Sequence, residues 1–119
     1  MARYRVSLPA RADIARILLT SDENWGSEGR RRYSALLVAA LRQAAADPEG
    51  RMTRDRGELL RGLRSLHLRH VRIGDPGARV KAPVHNLYYR QIGPGSIEIL
   101  RVLHERMDPR LHLSGATEE

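Results

Sequence analysis

Apolar and polar positions alternate at the start of the chain. Tyr4, Val6 and Leu8 interleave with Arg3, Arg5 and Ser7, which predicts a short strand with one apolar face. Pro9, whose fixed φ and missing N–H suit a first helical turn, then opens a helix. Ile14, Ile17, Leu18 and Ser21 follow at helical spacing, Trp25 lies one turn further, and Gly26 stops the helix. A second helix is capped by Ser27, with Glu28 in its first turn. Its apolar stripe, Tyr33, Leu36, Leu37, Ala40, Leu41 and Ala44, runs on to the Asp47–Gly50 turn. So short a connection predicts two antiparallel helices whose stripe needs a sheet to cover.

Residues 51–62 are polar and read as a loop or a short helical turn. From Leu63 to Ile73 the spacing returns to strand-like alternation. Leu63, Ser65, His67, Arg69 and Val71 are expected on one face, and Arg64, Leu66, Leu68, His70 and Arg72 on the other. After a Gly- and Pro-rich loop, residues 84–92 form a β-rich strand in which Asn86, Tyr88 and Arg90 oppose His85, Leu87, Tyr89 and Gln91. The segment from Ile97 to His104 is apolar on both sides. Ile97, Ile99 and Leu103 are expected to share a face with Arg101, and Glu98, Leu100, Val102 and His104 to share the other. Asp108 and Pro109 then read as the cap and first residue of a brief helix.

The expectation is therefore a single α+β domain over residues 1–113 in the order β-α-α-β-β-β. A helical hairpin packs on a mainly antiparallel four-stranded sheet, followed by a flexible tail at 114–119. The chain has 119 residues and no cysteine, which excludes a disulfide framework, a thiolate nucleophile and a cysteine-based zinc site. It shows no signal peptide and no apolar run of membrane-span length, so the expected location is the cytoplasm. The net charge of +7 is uneven: residues 1–50 carry 8 basic and 6 acidic side chains, the remainder 13 and 8. That balance favours an acidic partner.

The residues that could carry chemistry are few. His67 and His70, placed on opposite faces by strand geometry, could not chelate one ion, so no metal is expected. Tyr88 and Tyr89 point to opposite faces, so at most one is free for base stacking. Arg30, Arg31 and Arg32 form a solvated helix face or a clamp on acidic partner residues. Trp25 is expected to plug the space between hairpin and sheet, or else to anchor a partner. Arg101, inside an apolar strand, needs an anionic partner, for which Asp13, Glu58 or a carbonyl would serve.

Four features together, the element order, the A-x-x-D-I-x-x-I pattern at Ala10–Ile17, HNLYYR at His85–Arg90 and IEILRVLHERMD at Ile97–Asp108, resemble the ParE toxins of the RelE/ParE superfamily. The resemblance runs from about Tyr4 to Leu113. It implies a plasmid-stabilising toxin of a type II toxin–antitoxin module, a hetero-oligomer with a ParD-like antitoxin that wraps the hairpin and sheet. Leu19, Trp25, Arg30, Leu37 and Val38 are the antitoxin-binding candidates. It further implies poisoning of DNA gyrase by binding, without cofactor or catalysis. Arg101, His104, Arg106 and Arg110 are the target-binding candidates, and direct nucleic-acid contact is left open.

The alternative is a RelE-type mRNA endonuclease. It would draw on Arg69, Arg72, Arg90, Arg101 and His104, with Arg90 or Arg101 stabilising the phosphorane and His104 as acid or base. Where one RelE branch has a tyrosine after that histidine, this chain has Glu105, and Lys81 is its only lysine. A third reading is a non-toxic module that only binds the antitoxin.

Overall fold

The computed structural model describes residues 2–113; the expected tail at 114–119 lies outside the described residues. Strand β1 (Arg3–Val6) leads through the helical layer α1 (Leu8–Ala46) to β2 (Thr53–Asp55), β3 (Leu63–His67), β4 (His85–Gly93), β5 (Ser96–His104) and a terminal helix α2 (Pro109–Leu113). The sheet runs in the order β1-β5-β4-β3-β2. Strand β1 lies parallel to β5, as a crossover through the helices requires, and the other pairs are antiparallel. Among the described residues no helix is long and apolar enough to cross a membrane.

Ser7, not Pro9, starts the helical layer. Its hydroxyl accepts the Ala10 N–H at 3.1 Å and donates to the Leu100 carbonyl at 3.0 Å, joining the helix cap to β5. Leu8, expected in the apolar face of the first strand, is instead the first helical residue and is exposed. The two expected helices are separated by Gly26 alone, with φ 76° and ψ −174°. That region is open essentially only to glycine, so one residue serves as the whole connection. A Cβ at Gly29 would lie 2.3 Å from Cβ of Trp25, so the turn also depends on a missing side chain three residues later.

Two apolar clusters sandwich the sheet. On the hairpin side, Tyr33, Leu36, Leu37, Ala40 and Ala44 meet Leu66, Leu68, Leu87, Tyr89, Ile97, Ile99 and Val102. On the other side, Leu63, Tyr88, Leu100 and Leu103 are covered by Leu113 of α2 with Leu59 and Leu60. The expected faces of β5 hold only as far as Ile99. Tyr88 pairs with Arg101 and Tyr89 with Ile99, leaving Leu100 as an extra, bulged residue. One extra residue reverses every later side chain, so Val102, not Leu103, joins Ile97 and Ile99 under the hairpin.

Two further expectations are corrected. The sheet has five strands, because Thr53–Asp55, read as loop, pairs with Arg64–Leu66. Three polar residues carry no alternation, and this edge exists only through its partner; the Arg64 guanidinium donates to Thr53 Oγ1 at 2.9 Å. The expected strand from Leu63 to Ile73 stops at His67, where a 3-10 turn over Leu68–His70 begins. The His67 ring caps that turn by accepting the Arg69 N–H at 3.0 Å.

Gly26→Ala is expected to destabilise the chain by about 1–3 kcal/mol, because alanine must be forced into glycine's backbone region. Urea unfolding followed by circular dichroism measures it, and an unchanged midpoint would show that the turn relaxes without strain.

Candidate functional site

Beyond Val6 the first strand leaves β5, and the edge of β5 from Leu100 onward has no strand beside it. Ser7 covers the first position. Asp13, one turn and a half into the helix and 2% exposed, covers the next: its Oδ2 accepts the Val102 N–H at 2.9 Å in place of a strand carbonyl. The same carboxylate takes a fork from Arg101, Nε at 2.7 Å and Nη2 at 2.8 Å, and a further bond from Arg16 Nη2 at 3.0 Å. Of the partners anticipated for Arg101, Asp13 is the carboxylate that meets it. The third guanidinium nitrogen donates to the His112 carbonyl of α2 at 3.0 Å. One arginine thus ties helical layer, sheet edge and carboxyl-terminal helix together.

The ends of β4 and β5 carry a second network. His85 and His104 face each other across the strands with ring centroids 5.5 Å apart, and Tyr33 stands edge-on to His85. The Tyr33 hydroxyl accepts the Val84 N–H at 3.3 Å and shares a hydrogen bond with His85 Nδ1 at 2.6 Å. Burial, reinforced by His104, lowers the His85 pKa to about 4, so the ring is neutral. Burial likewise pushes Tyr33 up to about 12. His104 Nδ1 accepts the Arg106 N–H at 3.1 Å, shaping the turn after β5. Next to it, Glu105 Oε1 meets His67 Nε2 at 2.7 Å.

Of the residues proposed for catalysis, Arg90 and His104 are not brought together. Arg90 lies opposite Glu98, which also pairs with Arg5 at 3.3 Å, whereas His104 lies opposite His85. The five-residue offset between His85 and Arg90 along β4 separates them by about 17 Å. Arg101 is committed to Asp13, and Arg69 and Arg72 lie outside the strands. Tyr88 and Tyr89 are both buried, so neither is available for stacking. His67 and His70, expected on opposite faces, have ring centroids 6.4 Å apart because the 3-10 turn folds them to one side. Among the described residues no group of three or more His, Asp or Glu side chains is placed to hold a metal.

A family model described as "ParE toxin of type II toxin-antitoxin system, parDE" matches residues 4–109. The chain belongs to the ParE toxin family. Toxin ParE1 of Mycobacterium tuberculosis is 34% identical over 107 residues, spanning 90% of this chain and 93% of that protein. Toxin ParE1 of Caulobacter vibrioides is 32% identical over 113 residues, spanning 95% and 99%.

In this ParE-family chain the expected contact residues fall into two groups. Leu19, Trp25, Arg30 and Val38 are exposed on the hairpin. Trp25, 76% exposed beside the Gly26 turn, does not plug the hairpin against the sheet. Leu37 is 3% exposed in the hairpin-side core and cannot line an outer groove; its stripe faces the sheet. Arg106 and Arg110 are exposed after β5, with Arg110 N–H bound to Asp108 Oδ1 at 3.0 Å. Arg101 and His104 stand behind them, holding the turn and α2 in place.

Asp13→Ala is expected to cost about 3–5 kcal/mol, since it leaves a half-buried guanidinium and an edge N–H without their acceptor. Urea denaturation measures it, and a loss below about 1 kcal/mol would show the pair to be dispensable. For His85, the folded pKa lies below the ordinary 6.5, so the unfolded chain binds more protons between the two values. Stability present above the unfolded value should therefore fall as pH drops from 6.5 toward 4. His85→Gln should flatten that part of the pH profile of the urea midpoint; a variant profile parallel to the wild type would contradict the assignment.

Proposed function

We propose that this chain is a cytoplasmic toxin that poisons DNA gyrase by binding it, and that a ParD-like antitoxin holds it inactive in a hetero-oligomer. The observation that carries the reading is the rigidly supported basic turn after β5. Arg106 and Arg110 are exposed there, while Arg101 and His104 bind backbone atoms of the same segment from behind. A binding poison needs a fixed surface, not an acid and a base in reach of one bond. Arg101 and His104 act in this reading as positioning residues, and Arg106 and Arg110 meet the target. The separation of Arg90 from His104 supports binding over the endonuclease alternative.

Antitoxin docking falls on the hairpin. Leu19, Trp25 and Val38 expose apolar surface there, and Arg30 adds a cation for an acidic segment. A partner that folds on binding gains affinity from such anchors.

Purified chain added to gyrase and supercoiled plasmid should produce protein-linked linear DNA. Arg106→Glu with Arg110→Glu should reduce it by about tenfold, equivalent to roughly 1.4 kcal/mol of binding. No linear DNA with folded wild-type chain would overturn the gyrase reading; undiminished linear DNA with the double variant would move the contact elsewhere.

A further inference from the structure

The sheet face turned away from the hairpin is only partly covered. Leu59, Leu60 and Leu113 close its Leu63, Tyr88, Leu100 and Leu103 region. Toward the β2 edge lies an open cleft of about 340 Å³, lined among others by Arg51, Arg54, His67, Arg69, His70 and Asn86. Three separate segments contribute its cations: the turn before β2, β2 itself, and the 3-10 turn after β3. Arg51, Arg54 and Arg69 are exposed, and among the described residues none lies within salt-bridge distance of a carboxylate. The one carboxylate in the lining, Glu105, already accepts from His67.

We propose that this cleft binds the phosphodiester backbone of a nucleic-acid strand, at a site apart from the antitoxin surface on the hairpin and adjoining the carboxyl-terminal turn, and this proposal is independent of the gyrase reading. The chemistry of the lining selects this ligand over an acidic peptide. Three guanidinium forks and the Asn86 amide provide donors for phosphate oxygens. A docked peptide would need pockets for its side chains, and Met52 is the one large apolar side chain here. No aromatic ring other than histidine lines the cleft, so bases have no tyrosine or tryptophan platform and the contact is to the backbone.

The strand is held and not cut. His67 Nδ1 accepts the Arg69 N–H, which leaves its proton on Nε2, donated to Glu105; both ring nitrogens are engaged. His70 Nε2 likewise accepts from Arg69 Nε at 3.3 Å. Contacts to phosphate alone read neither base nor the 2′-hydroxyl, so DNA and RNA strands should bind alike.

The test is fluorescence anisotropy of labelled oligothymidine, oligouridine and a DNA duplex with the purified full chain, with polyglutamate as competitor. Both single strands should bind within about threefold of each other. Log Kd should rise with log salt at a slope of about 2, for three phosphates neutralised on a single strand. Arg51→Gln, Arg54→Gln and Arg69→Gln together should weaken binding at least about tenfold, while Arg72→Gln with Arg79→Gln, outside the cleft, should not. A read-out on the unaltered protein is the imidazole NMR signals: those of His67 and His70 should move on titration with the oligonucleotide and that of His85 should not.

Binding of the duplex alone would assign the cleft to double-stranded DNA within the same phosphate chemistry. Wild-type affinity in the triple variant, His67 and His70 signals unmoved by any added polymer, or movement of those signals with polyglutamate but not with oligonucleotide would overturn the proposal. The last result would make the cleft a peptide site.

Discussion

Asp13 does the work of a strand that is not there. The first strand turns away after Val6, and a sheet edge left open inside the domain would expose unpaired backbone groups to an apolar surrounding. A carboxylate carried in by the helix supplies the missing acceptor to Val102 and, because it is charged, requires a cation beside it. Arg101 supplies that cation from the adjacent strand position and spends its remaining nitrogen on α2. Backbone satisfaction, charge neutralisation and the placement of the carboxyl-terminal helix are thereby met by one pair.

The two-sided sheet explains how a small chain separates its surfaces. The hairpin covers one face with a stripe of Tyr, Leu and Ala, joined by Val71, Ile73 and Val80, and Leu19, Trp25 and Val38 are exposed on the hairpin. The other face is sealed only around Leu63 and Leu103, by α2 and the Leu59–Leu60 segment. What remains uncovered is polar and basic. The hairpin exterior therefore lies apart from the basic cleft, whereas the carboxyl-terminal turn adjoins it, since Glu105 of that turn also lines the cleft.

Charge follows the same division. Arginines near the hairpin and on β1 and β4 are paired with Glu28 and Glu98, whereas among the described residues Arg51, Arg54 and Arg69 of the cleft form no salt bridge, its Glu105 being bonded to His67. Paired surface charges contribute little to stability. Unmatched ones grouped in a concavity attract anions, and their field is concentrated by the low-dielectric walls.

What could be read from the chain was whatever repeats: the stripe from Tyr33 to Ala44, the strand alternation of β3 and β4, the two-sided apolar run of β5 and the turn signals between them. Burial imposes periods of 3.6 and 2 on local sequence, so these elements are visible without their neighbours. The need of Arg101 for an anion was equally legible, because an apolar strand cannot hold a bare charge. The features that break a period were decided only by tertiary pairing. They are the bulge at Leu100, the end of β3 at His67, the edge strand Thr53–Asp55 and the exposure of Trp25. Each depends on which segment lies alongside, and the basic cleft assembled from three distant segments depends on all of them.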